Sequence, residues 1–154
     1  MSPDSGGPAL DAIVRVVARL LLGPSVVVAV GLIGKGYAEV GDGFAAGVVV
    51  ALAIGLTYVV LGGAGAEAAL PVLRHAPKVA VGGLLVALAS GFFSVLLGDP
   101  PVTHRPRPGE HVITIGVFEL MTPVLLDVGI FLLVVGVLTV LLHQLAGPDE
   151  EAGP

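Results

Sequence analysis

The stretch "TPVLLDVGIFLLVVG", residues 122–136, holds one carboxylate, Asp127, in a run that is otherwise apolar or small. With the leucines and valines that follow, it forms a segment of about 20 residues, the length that crosses a hydrocarbon core of roughly 30 Å as a helix. No water is available there to satisfy a bare backbone, so the segment must bond its own amides and read as a helix. The rest of the chain has the same character. Of 154 residues 55% are hydrophobic, only 12% are charged, and the mean hydropathy is +1.02. An average soluble domain carries about 25% charged residues and needs them to cover its surface. The composition therefore predicts an all-α integral membrane protein.

Four apolar spans emerge, at residues 12–33, 44–62, 77–97 and about 120–145. The polar residues 1–11 predict a disordered N-terminal tail without the basic region or cleavage site of a signal peptide, and residues 146–154 an acidic, solvated C-terminal tail. The connections differ in chemistry. "GKGYAEVGDG" is glycine-rich, "GAGAEAALPVLRHAP" is basic, and "GDPPVTHRPRPGEHVITIG" is proline-rich and then alternates like a strand. Arg15, Arg19, Arg74 and Lys78 fall on one side of the membrane, against Lys35, Arg105 and Arg107 on the other. The positive-inside bias thus places both termini in the cytoplasm, by four charges to three.

Several classes of function are excluded or disfavoured. There is no cysteine for a disulfide or a thiolate site, and a net charge of -5 spread over tails and loops offers no nucleic-acid surface. His75, His104, His111 and His143 lack metal-ligand spacing, and no serine–histidine–acid set or carboxylate pair is visible. The turn near Lys35 misses the phosphate-binding fingerprints, because Ala29 and Glu39 stand where glycines are required. The chain reads as neither an enzyme nor a cofactor or metal binder.

The residues that remain are those with a cost to explain. A carboxylate near a helix centre costs about 2.5 to 3.5 kcal/mol on insertion scales, so Asp127 must face a partner or a wet cavity. Its depth depends on where the helix begins, about 15 Å if near Val117 and about 7 Å if at Thr122. A proton or cation site and a structural carboxylate bonded to another helix are both open. Gly129 and Gly136 share a face about 200° round the helix from Asp127, so the last span is used on two sides. Small residues also recur at Gly43, Gly47, Ala51 and Gly55, and at Gly83, Ala87 and Gly91, marking close-packing faces on spans two and three. In span one, Arg15 and Arg19 either snorkel to headgroups or pair with Asp127, and Pro24 removes a backbone donor and predicts a kink. In the glycine-rich turn Gly41 and Gly43 permit positive φ, Asp42 is placed to cap a helix starting at Phe44, and Lys35 can pair with Glu39. Lys35 and Asp42 are candidates for ion access or subunit contact.

Two segments together resemble a known family. "GKGYAEVGDGFAAGVVVALAIGLTYVVLGG" is similar to the glycine-rich turn and second helix of the MnhB/MrpB family, a small component of multisubunit sodium/proton antiporters of the Mrp (Mnh) type. "GEHVITIGVFELMTPVLLDVGIFLLVVG" is similar to the last segment of that family. Gly41-Asp42-Gly43-Phe44 stands where the family has Gly-Gly-Gly-Phe, and Val40 replaces a proline. Ala46-Gly47 replaces a double glycine, Leu126 a phenylalanine and Ile130 a valine. Phe44, Gly47, Asp127, Gly129 and Gly136 fall on motif positions. The resemblance implies a four-helix subunit, without a bound cofactor, in the plasma membrane of a prokaryote. Its partners would be the lipid bilayer and the other antiporter subunits of a complex that exchanges cytoplasmic Na+ or K+ for H+. The resemblance implies a contribution to assembly and to a cation pathway. A non-conducting scaffold and a membrane-arm subunit of a hydrogenase-type ion pump are the alternatives.

Overall fold

The computed structural model describes residues 7–35, 41–96, 98, 100, 114–115, 118–119 and 122–147. They form α1 (Gly7–Lys35), α2 (Asp42–Ala69), a short 3-10 turn (Pro71–His75), α3 (Ala76–Leu96) and α4 (Thr122–Ala146). All four helices are long and apolar enough to cross a membrane. Two short strands, β1 (Thr114–Ile115) and β2 (Phe118–Glu119), pair antiparallel just before α4, Ile115 opposite Phe118. This is a four-helix, all-α membrane protein with one small ladder.

Two boundaries differ from the sequence expectation. Helix α1 starts at Gly7, so residues 7–11 belong to it and not to the tail. Pro8 explains this, since its fixed φ suits a first turn where no backbone donor is needed. Helix α2 runs on past the apolar run to Ala69, broken by non-helical backbone at Gly62 (φ 71°, ψ 175°). A residue with a side chain is strained at that φ, and glycine is not. Pro24 lies inside α1, where the neighbouring Ser25 hydroxyl donates to the Leu21 carbonyl at 2.7 Å.

The helices are arranged around α4. Gly43 lies against Asp127, Gly47 against Phe131 and Val134, Gly55 against Leu142 and Gly63 against Ala146. The partners rise together along both helices, so α2 and α4 are parallel. On the other side Gly129 meets Ala87 and Gly136 meets Ala80, an order that runs backwards and makes α3 antiparallel to α4. Helix α1 packs on α2, giving the lateral order α1–α2–α4–α3. With alternating crossings, the start of α1 and the end of α4 emerge at the same end of the molecule.

Close packing holds this row together, because lipid tails are as apolar as the side chains and burial of area from water gives no drive between helices. A Cβ at Gly83 would run into the backbone nitrogen of Leu133, and one at Gly136 would lie 2.5 Å from that of Ala80. The small-residue faces of α2 and α3 each close on α4, on its two different sides. Gly91 is different, since a Cβ there meets nothing within 4 Å. Between α1, α2 and α4 sits a cluster of Ala29, Ala46, Val50, Ile54, Tyr58, Ala66 and Leu73. Thr57, buried in the middle of α2, returns its hydroxyl to the Ala53 carbonyl at 3.0 Å, which satisfies it without water. The outer faces carry Val27, Val59 and Leu96, all more than two-thirds exposed within the single chain.

Gly136→Leu is expected to separate α3 from α4 and to cost at least about 1–3 kcal/mol, the usual penalty of overpacking. Gly91→Leu is expected to leave the thermal unfolding of the detergent-solubilised protein unchanged. Equal effects of the two substitutions would contradict this packing order.

Candidate functional site

The end of the molecule where α1 stops and α2 and α4 begin gathers the polar residues. Helix α4 starts at Thr122, which puts Asp127 about 7 Å into the helix, nearer its end than its middle. Asp127 is nonetheless fully buried, at 0% exposure. It faces the start of α2, where the Gly41 N–H donates to both carboxylate oxygens, 3.2 Å from Oδ1 and 3.4 Å from Oδ2.

This contact follows from the local chemistry of each helix. The first turn of any helix leaves backbone N–H groups without internal partners and carries the positive end of the helix dipole. Gly41 is the N-cap of α2, has φ 121°, and has no side chain to serve that turn. The carboxylate of α4 does so from another helix. Gly43 makes the approach possible, because a Cβ at that position would strike the backbone carbonyl of Asp127. Gly41, Gly43 and Asp127 are thus one device, two glycines admitting a carboxylate to a helix terminus.

Asp42 does not occupy the cap position expected for it. The helix begins at Asp42 itself, and the carboxylate that reaches its start, on the Gly41 N–H, is that of Asp127. The positive φ of Gly41 starts α2 two residues earlier than Phe44, which moves Asp42 into the first turn. There Asp42 Oδ2 lies 3.7 Å from Lys35 Nζ, joining the end of α1 to the start of α2. Glu39, the partner expected for Lys35, lies outside the described residues. Phe44 points outward with 60% of its surface exposed, available to lipid or a neighbouring chain. Arg15 is exposed, and the side chain of Arg19 lies outside the described residues, as do His104, Arg105, Arg107 and His111.

The site therefore brings together Lys35, Gly41, Asp42, Gly43 and Asp127. The face that carries Asp127 meets α2, while Gly129 and Gly136 meet α3, so α4 is indeed used on two sides. The carboxylate is not saturated by its contact with α2. A carboxylate has about four acceptor positions, and one N–H shared at these distances is longer than the roughly 2.7–2.9 Å of a strong charge-assisted bond. Among the described residues the Gly41 N–H is the donor that reaches it.

A family described as "Domain related to MnhB subunit of Na+/H+ antiporter" matches residues 13–140. The chain belongs to the MnhB family. The B subunit of the Na(+)/H(+) antiporter of Alkalihalophilus pseudofirmus is 31% identical to it over 140 residues, which cover 91% of this chain and 92% of that relative. The match to the MnhB model takes in all of α2 and α3 and the part of α4 that carries Asp127, Gly129 and Gly136. The residues that the sequence did not single out in this MnhB-family chain are Tyr58 and Glu67 of α2. They come together with His143 of α4 at the opposite end, where His143 Nδ1 lies 3.0 Å from Glu67 Oε1. A signal was present, since Glu67 is an acid in an otherwise small and apolar segment, but its partner lies on a different helix.

Asp127→Ala removes the acceptor that serves α2 and is expected to cost about 0.5–2 kcal/mol, the value of a helix cap. Asp127→Asn keeps an acceptor oxygen and is expected to cost less. Thermal unfolding in detergent checks the order, and an alanine variant as stable as the asparagine variant would contradict it.

Proposed function

We propose that this protein is a small, non-enzymatic subunit of a multisubunit antiporter that exchanges cytoplasmic Na+ or K+ for H+ in the plasma membrane of a prokaryote. Family membership supports the parent complex. The observation that carries the role of the site is the fully buried Asp127 carboxylate, held among the described residues by one long, shared N–H contact. In this reading Asp127 contacts a cation, a proton or a basic residue of a neighbouring protein. Lys35 and Asp42 form the rim of the same site, and Arg19 is assigned to the same pathway or contact surface. Phe44 and the outer faces of α1 and α3 meet lipid and the other antiporter subunits. Both termini lie in the cytoplasm, and the Asp127 end lies outside.

A second reading is favoured by one feature of the geometry. Asp127 already does structural work at the start of α2, which suits a scaffold subunit that organises its neighbours without touching ions.

Asp127→Asn in the reconstituted complex separates the two. It keeps the shape and an acceptor for Gly41 while removing the charge. The antiport reading predicts normal assembly with exchange reduced at least about tenfold, the effect of about 1.4 kcal/mol of lost stabilisation. Unchanged exchange with unchanged assembly would contradict it. The scaffold reading predicts that neutralising Lys35 and Asp42 is also tolerated, whereas bulk at Gly43 or Gly129 dissociates the protein from its complex.

A further inference from the structure

The end of the α2–α4 pair opposite Asp127 holds a second polar group, which the proposed exchange role does not use. Glu67 lies beyond the break at Gly62, on the last turns of α2, and accepts from or pairs with His143 Nδ1 at 3.0 Å. The His143 side chain is 58% exposed and that of Glu67 38% exposed, so the pair opens to the surroundings. The Tyr58 ring sits edge-on to the imidazole, with centroids 6.5 Å apart and planes at 73°. Unlike the pair, Tyr58 is only 5% exposed, and its hydroxyl is shielded without a hydrogen-bond partner among the described residues. Thr139, one turn before His143, has a buried hydroxyl in the same condition. The other charged groups near this end whose side chains are described, Arg15, Arg74, His75 and Lys78, are exposed.

A buried hydroxyl without a partner is costly, and more so inside a bilayer. Tyrosine is a poor choice for such a position unless its O–H has something to bind, because phenylalanine fills the same space at no such cost. Water is the partner that suits the place, since an ordered water bonds about three polar groups and the exposed Glu67–His143 pair connects this one to the surroundings. We propose that Tyr58, Glu67 and His143 form a hydrated proton-exchange site, in which Tyr58 holds a water against the Glu67–His143 pair. A hydronium in the adjoining water gives its proton to His143 Nε2 and leaves as water. The Nδ1 proton of the resulting imidazolium passes to the Glu67 carboxylate, leaving neutral imidazole and a carboxylic acid. One proton has then moved from water to Glu67, with only N–H and O–H bonds made and broken. The site stands on this geometry, and only its bearing on antiport rests on the function proposed above.

Hydroxyl-radical footprinting of the full chain in native membranes, run in oxygen-18 water and corrected for intrinsic reactivity, tests it. Tyr58 is expected to take the label despite its burial, and to lose it when Glu67→Leu and His143→Leu make the pair apolar. A Tyr58 as silent as the equally buried Ile54 would overturn the proposal. Tyr58→Phe supplies a second readout. Removal of a water-bonded hydroxyl is expected to lower the unfolding temperature, whereas a rise would show an unsatisfied hydroxyl in a dry site and overturn it. The labelling requires no transport, so failure of the antiporter reading would be seen separately, in the exchange assay.

Discussion

The contact between the Asp127 carboxylate and the N-terminus of α2 is the constraint on which the arrangement depends. Neither partner is comfortable alone. A carboxylate in an apolar helix carries an insertion cost of several kcal/mol, and a helix start at membrane depth exposes amides that nothing in the bilayer can satisfy. The contact offsets part of each cost, since the Gly41 N–H donates to the carboxylate. For this to happen the two helices must begin at the same end and lie backbone to backbone, which requires α2 and α4 to be parallel and Gly43 to lack a side chain. Once that register is set, Gly47 and Gly55 meet Phe131, Val134 and Leu142 in turn.

The opposite side of α4 then receives α3 by a different means. There Gly83, Gly129 and Gly136 let the backbones approach closely. Helix α4 is therefore held by a polar clamp on one flank and a glycine seam on the other. Helices α1 and α3 stand at the outer edges of the row, and their outward apolar residues have no neighbour within the described part of the chain. A row of this kind is suited to insertion between other membrane proteins, and it places the Lys35–Asp42–Asp127 group and the Glu67–His143 group at opposite ends of the same helix pair.

Much of this is legible in the sequence, for reasons that differ by residue. The four spans are legible because the bilayer imposes length and composition on each helix independently of the others. The need of Asp127 for a partner is legible because the cost of a charge in lipid is local. The separation of Asp127 from Gly129 and Gly136 follows from helical geometry alone. The identity of the partner does not, since it is a backbone N–H 86 residues away, which no side-chain inventory contains. Asp42 stands where local sequence order expects a cap, yet a carboxylate from another helix fills the role. Gly91 continues the small-residue pattern of α3 but lies on an open side, since periodicity tells which residues share a face and not what covers it. The Tyr58–Glu67–His143 group is invisible for the same reason, being assembled from two helices across the break at Gly62.

Solid-state NMR recoupling between carbon-13 at the Asp127 carboxylate and nitrogen-15 at the Gly41 amide, with the full chain in lipid bilayers beside its co-purified partners, measures the central contact directly. The account predicts strong dephasing, as required by an amide nitrogen 3.2 and 3.4 Å from the two carboxylate oxygens. Absence of dephasing at that range would place the carboxylate elsewhere and remove the basis for the parallel α2–α4 register.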